Sequence, residues 1–236
     1  MLARVTTRRV AQRIATVMAC AGLSIAAVGC AGAGDEADDG PITQPSSPAV
    51  TAGDCVVRLH GKSESGAPTV VDGDGVARVA PNGNERDGSG YKWIYFPDQS
   101  YVAARTVVTD SIARFGCERL VLGGFSNGAA FATKLYCSGD DLGAPIVGVV
   151  IDDPVPDNSA AGCSPLDEAP VTLFWTGALT ATAQPGWDCD EGGWICDGGT
   201  TIGIDQFAAD LGTTITASPF TDHVANVDAP EWTAFD

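Results

Sequence analysis

Past residue 52 the chain alternates short apolar runs with longer amphipathic ones. Cys55 to Leu59, apolar except for Arg58, predicts a buried strand followed by a Gly/Ser loop. Val76 to Ala80 predicts a second strand, ended by Pro81-Asn82-Gly83. From Tyr101 to Phe115 the apolar positions Val102, Ala103, Val107, Ile112 and Ala113 return at helical spacing. Arg119 to Gly123 is strand-like, and Ala129 to Tyr136 contains good helix formers and no breaker. Ile146 to Ile151 is a β-branched run of the kind buried on both faces, and Val171 to Trp175 is another strand. Ile202 to Leu211 predicts a helix, Thr213 to Ala217 a last strand, and a short tail carries Trp232 and Phe235. This alternation predicts one α/β domain over residues 53–236, a mostly parallel sheet of about six strands with helices on both faces.

The first 52 residues follow different rules. Arg4, Arg8, Arg9 and Arg13 precede a charge-free, Ala-rich stretch from Ile14 to Gly29. It is short for a membrane span and the right length for a secretory apolar region, so residues 1–29 are expected to be a signal peptide. Arg8-Arg9 lacks the bulky apolar neighbours that a twin-arginine signal prefers. Ala27-Val28-Gly29-Cys30 resembles the bacterial lipobox, whose cysteine is acylated and becomes the mature N-terminus, although Ala27 stands where leucine is usual. Cys20 fits less well because apolar sequence continues past it. Residues 30–52, rich in Gly, Pro, Ser and Asp, then predict a flexible tether. The expectation is a cell-envelope lipoprotein held at the outer membrane face through Cys30; cleavage near Ala31-Gly32-Ala33 would instead release a soluble secreted protein.

Cysteine usage agrees with export. Setting aside Cys20 and Cys30, Cys55, Cys117, Cys137, Cys163, Cys189 and Cys196 suggest three disulfides. Fifteen pairings are open on paper. Cys189 with Cys196 would close a short Gly-rich loop, Cys137 with Cys163 would tie a helix to a later loop, and Cys55 with Cys117 would join two strand starts. No C-x-x-C pair exists and only two histidines are present, which argues against zinc. The net charge of −17 becomes −21 once a signal with its four arginines is removed. Such a surface repels nucleic acid and anionic headgroups, and neither is expected as a partner.

Chemistry concentrates at Gly124-Phe125-Ser126-Asn127-Gly128, wedged between the strand ending at Gly123 and the helix beginning at Ala129. A serine on a tight strand-to-helix turn needs small residues two positions away on each side so that strand and helix can approach. The turn lifts the hydroxyl clear of the sheet edge and aims the first helical N–H groups at whatever the hydroxyl attacks. The pattern resembles the nucleophile elbow of the α/β-hydrolases. Leu59-His60-Gly61 resembles the H-G that ends the strand carrying an oxyanion donor. Pro81-Asn82-Gly83, followed by Trp93 and Phe96, resembles a stretch of carboxylesterase-like members. The chain is thus similar to a small, cutinase-sized esterase of that superfamily. The resemblance implies a minimal sheet lacking the usual first two strands, no large lid domain, an open site, no cofactor, and a monomer.

A serine needs a base and a carboxylate to orient that base. By the resemblance His60 is structural, while His223, after the last predicted strand, takes the place of the base and keeps the order Ser…Asp…His. The usual place for the acid, three residues past Gly177, holds Thr180. Two replacements remain open. Asp153 lies in Ile151-Asp152-Asp153-Pro154, which resembles the L-D-P context of pancreatic-type lipases; Asp188 lies beside the Cys189–Cys196 loop. The oxyanion donors are expected to be the backbone N–H groups of Asn127 and Lys62, with the Asn127 side chain replaceable. Asp72-Gly73-Asp74-Gly75 reads as a turn in preference to a calcium loop, and Trp187 and Trp194 as packing in preference to a cleft lining. The expected substrate is a small-molecule or lipid carboxylic ester. A ligand-binding lipoprotein on the same scaffold, or an amidase or acyltransferase with the same triad, are the rivals.

Overall fold

Alternation within the first strand decides which side of the sheet each later element must cover. In β1 (Asp54–Leu59) the side chains of Cys55, Val57 and Leu59 join one buried cluster, while Val56 joins another on the opposite face. A computed structural model of the protein describes residues 53–180, 200–233 and 235. The signal and tether, Cys30, Asp188, Cys189, Cys196, Trp187 and Trp194 lie outside these residues.

The remaining strands are β2 (Ala67–Val71), β3 (Ala77–Ala80), β4 (Glu85–Asp87), β5 (Gly90–Lys92), β6 (Arg119–Phe125), β7 (Ile146–Asp152), β8 (Val171–Trp175) and β9 (Ile215–Ala217). The helices are α1 (Asp98–Phe115), α2 (Asn127–Cys137) and α3 (Ile204–Leu211). Seven strands make one sheet in the order β2-β3-β1-β6-β7-β8-β9, and every neighbouring pair is parallel except β2 with β3. The fold is therefore α/β with a mostly parallel sheet, of seven strands where about six were expected. The added strand is β2, placed in the stretch read as a loop. Its side chains are exposed or half-buried and it contains Pro68, so it lacks an apolar signal and suits an antiparallel edge. The separate β4–β5 hairpin carries three charges in its first strand and no apolar alternation, so it left no pattern either.

The larger core lies on one side of the sheet. Cys55, Val57, Leu59, Leu120 and Leu122 pack there with Ile112 of α1, Phe131 of α2 and Phe207 of α3. All three described α-helices bury residues in it. The opposite face is closed by Ala229 and Trp232, the latter in a 3₁₀ turn over Pro230–Thr233, packed on Val56, Val121, Val150 and Phe174. Helices on both faces were expected; among the described residues the α-helices cover one. The α1 stripe also differs from the sequence reading, since Ala104, Val108 and Ile112 are buried while Val102 faces solvent. Spacing identifies the helix, but neighbouring small apolar residues leave its rotation open by one position.

Two disulfides are present among the described residues, Cys55–Cys117 and Cys137–Cys163, matching two of the pairings argued from the sequence. The first spans 62 residues and joins the starts of β1 and β6; the second spans 26 and ties the end of α2 to a later loop. Loop-closure entropy makes the longer link the larger contributor. Replacing Cys55 and Cys117 together by alanine should lower the unfolding free energy by about 4 kcal/mol, and the same change at Cys137 and Cys163 by about 3.5 kcal/mol, measured by urea unfolding.

Candidate active site

Strand β6 passes into α2 through a single residue, Ser126, held at φ 54° and ψ −118°. For a residue with a β-carbon such a conformation costs roughly 1–3 kcal/mol, and it persists only where the surroundings enforce it. They do. A Cβ on Gly124 would lie 2.5 Å from the carbonyl carbon of Gly128, and one on Gly128 would lie 2.3 Å from the carbonyl oxygen of Leu59. Both glycines are thus required by close approach of strand, turn and helix, as the sequence pattern implied.

The ends of three segments meet over this turn. The Ser126 hydroxyl is 2.8 Å from Nε2 of His223, and Nδ1 of the same ring is 2.5 Å from Oδ2 of Asp153. Asp153 is fully buried and follows directly on β7 with a positive φ of 44°. Its carboxylate also accepts the Thr176 N–H at 2.9 Å and the Thr176 hydroxyl at 2.8 Å. A carboxylate only accepts, so the imidazole gives Nδ1–H to Asp153 and turns the Nε2 lone pair toward the serine hydroxyl. Phe125 supports the ring from one side, with centroids 4.6 Å apart. No family model matches this sequence, and no curated protein matches it. The functional reading therefore rests on geometry.

Of the two acids left open, Asp153 is the one brought to His223; Asp188 lies outside the described residues. Thr180, at the position the resemblance gives to the acid, lies in an exposed turn where its N–H bonds to the carbonyl of Gly177. Lys62 lines the same cleft as Ser126 and His223. Asn127 is the first residue of α2, so its N–H has no acceptor within the helix. Its side chain has a second task that the sequence reading missed. Oδ1 accepts the Trp93 N–H at 2.8 Å and Nδ2 donates to the Trp93 carbonyl at 3.1 Å, both buried. The expectation of a replaceable side chain is corrected accordingly, because truncation would leave two buried backbone groups unpaired.

His60 is held away from the serine. Its Nδ1–H donates to the Gly61 carbonyl at 2.7 Å, and Nε2 accepts the Gly83 N–H at 2.9 Å. Burial pushes its pKa down, which favours this neutral form. The loop after it is stiffened by Glu64, whose carboxylate accepts the Gly61 N–H at 2.8 Å. Asp72 and Asp74 fall in a turn, where Asp72 accepts the N–H groups of Asp74 and Val76.

Sequence reasoning also passed over Thr176 and Asp152. Thr176 had a usable signal, a hydroxyl directly after a buried parallel strand, where α/β sheets place their sites. Asp152 is fully buried and bonds on the other side of β7 from Asp153. Its Oδ2 accepts the Asn226 N–H at 2.6 Å, and the Asn226 carbonyl accepts the Trp232 indole N–H at 2.9 Å. This chain fastens the segment just after His223 to the sheet. Burial raises the pKa of Asp152 to about 6, opposed by the Asn226 N–H, raised further by Asp153, and lowered by Arg58 and His223. Because the folded value lies above the ordinary 3.8, the folded state holds a proton that the unfolded chain releases. Asp152 therefore makes stability fall as pH rises from about 4 to about 6. Asp152→Asn keeps a carbonyl for Asn226 and should remove this slope. The loss of slope is read from urea unfolding of parent and variant at a series of pH values between about 4 and 7.

Proposed function

We propose that the chain is an exported serine hydrolase of the α/β-hydrolase kind, cleaving carboxylic esters through an acyl-enzyme. One observation carries the reading: a strained Ser126 hydroxyl in an unbroken hydrogen-bonded line through His223 to a buried Asp153. In this reading His223 Nε2 takes the hydroxyl proton as Ser126 Oγ attacks the ester carbonyl. The N–H groups of Asn127 and Lys62 hold the resulting oxyanion. The ester C–O bond then breaks, and His223 returns the proton to the departing alcohol. Water, deprotonated by the same imidazole, attacks the acyl-serine and frees the acid and Ser126. Asp153 keeps the ring oriented and stabilises its cation throughout. No cofactor enters these steps.

The placement of the acid supports an enzyme over a binding lipoprotein on the same scaffold. That rival drew its force from a missing acid after β8, and Asp153 stands against His223 instead. Export, cleavage of residues 1–29 and lipid attachment at Cys30 belong to the proposal on sequence grounds alone.

A fluorophosphonate probe should label the protein at Ser126, and Ser126→Ala should abolish labelling with the circular dichroism spectrum unchanged. Asp153→Asn should lower turnover of a p-nitrophenyl ester by up to roughly four orders of magnitude. Labelling of Ser126→Ala at another residue, or a near-normal rate for Asp153→Asn, would refute the assignment. Product analysis with water and alcohol acceptors separates hydrolysis from acyl transfer.

A further inference from the structure

The cleft over Ser126 holds about 510 Å³, within the roughly 300–1,000 Å³ of small-molecule sites. Its two sides differ. Phe125, Val155 and Leu179 supply an apolar part no smaller than the polar one. Lys62, Ser63, Glu64, Asp87 and Lys92 supply a polar wall with both signs of charge.

That wall is built, not a chance gathering of surface side chains. The β4–β5 hairpin docks on the loop after β1, where the Tyr91 N–H bonds to the Glu64 carbonyl at 2.6 Å. Gly90 lies so close that a Cβ there would stand 2.1 Å from the Ser63 carbonyl oxygen. The Ser63 hydroxyl donates to Asp87, and Lys92 pairs with Glu85 at 3.5 Å. Donors and acceptors are thereby held at fixed places around the serine.

We propose that the site takes short-chain acyl esters of neutral, hydroxyl-rich alcohols, sugars and related polyols, with the hydroxyls bound by this wall. The proposal rests on the hydrolase reading above and names its substrate class. A long alkyl chain would strip water from several ionised groups without replacing it. An anion would meet Glu64 and Asp87 on a chain of net charge −17, and a cation would meet two lysines. A neutral polyol gives O–H groups to the carboxylates and accepts from the ammonium groups, forming charge-assisted hydrogen bonds of both senses. The short acyl group fits the apolar part. Attack by Ser126 Oγ forms the acyl-serine as the ester C–O bond breaks; His223 protonates the departing sugar oxygen, and water completes hydrolysis to acid and polyol.

The test compares kcat/KM of the full chain on 6-O-acetylglucose, p-nitrophenyl acetate and p-nitrophenyl palmitate. The acetylated sugar should be cleaved faster than the palmitate ester. In Asp87→Ala and Lys92→Met, each checked by circular dichroism, the ratio of sugar ester to p-nitrophenyl acetate should fall about ten- to a hundredfold, the effect of losing a hydrogen bond to a charged group. An unchanged ratio in both variants, or preference for palmitate, overturns the proposal. A second measurement does not depend on turnover: saturation-transfer NMR of 6-O-acetylglucose on Ser126→Ala should show binding that Asp87→Ala weakens. Binding without any hydrolysis by the parent chain sinks the hydrolase reading and keeps the wall; hydrolysis of p-nitrophenyl acetate without sugar binding does the reverse.

Discussion

Close approach at one point, where β6, Ser126 and α2 press against the end of β1, is the constraint from which the rest of the site follows. Gly124 and Gly128 permit contacts that a β-carbon would forbid, and their nearest neighbours include the Leu59 and His60 carbonyl oxygens. The same packing that strains Ser126 therefore also fixes where β1 ends and where the loop from Gly61 to Glu64 begins. His60 continues the tie by bonding to Gly83, which draws in the chain leading to the hairpin. The Asn127 side chain then clamps Trp93 just beyond that hairpin. Small residues at the elbow thus organise a cleft wall far from them in sequence.

Two adjacent carboxylates show how strand geometry divides labour. Successive side chains leave a strand on opposite sides. Asp152 bonds to Asn226, which holds Trp232, and so fastens the chain after His223, while Asp153 turns to the serine and holds the ring of His223 itself. One histidine is thus held through its own side chain and through the chain three residues on. The partners of the two carboxylates differ in number. Asp153 is met by three donors, whereas Asp152 Oδ1 is buried without a hydrogen-bond partner among the described residues. The unmatched oxygen accounts for the raised pKa of Asp152 through uncompensated desolvation.

Much of this is readable in the sequence where apolar pattern and residue type act locally. Strand β8 falls where its apolar run predicts, residue for residue, and the G-x-S-x-G turn stands out by its residue types alone, although the contacts that require Gly128 are with the distant Leu59 and His60 carbonyls. The two histidines are told apart by chain order. What escaped depends on distant partners. Strand β2 and the β4–β5 hairpin bury little and carry no apolar alternation, so only tertiary pairing reveals them. The Asn127 side chain looks idle in the sequence because its partner lies 34 residues away, and Asp152 because its partner lies 74 residues away. The choice of the helix-covered face is hidden for the same reason, since β1 offers apolar side chains to both sides.

Placing the acid of the proposed triad at the end of β7, where the resemblance puts it after β8, has a geometric explanation. Neighbouring strands lie about 4.8 Å apart, so moving a carboxylate by one strand displaces it by about that distance. Two features recover it. The positive φ of Asp153 bends the chain sharply as it leaves β7, and the parallel register that sets Asp152 beside Phe174 brings Thr176 next to Asp153. Thr176 then donates from both its backbone and its hydroxyl, and its oxygen in turn accepts the Ala178 N–H at 3.1 Å. The end of β8 thus keeps a role in orienting the histidine without supplying the charge.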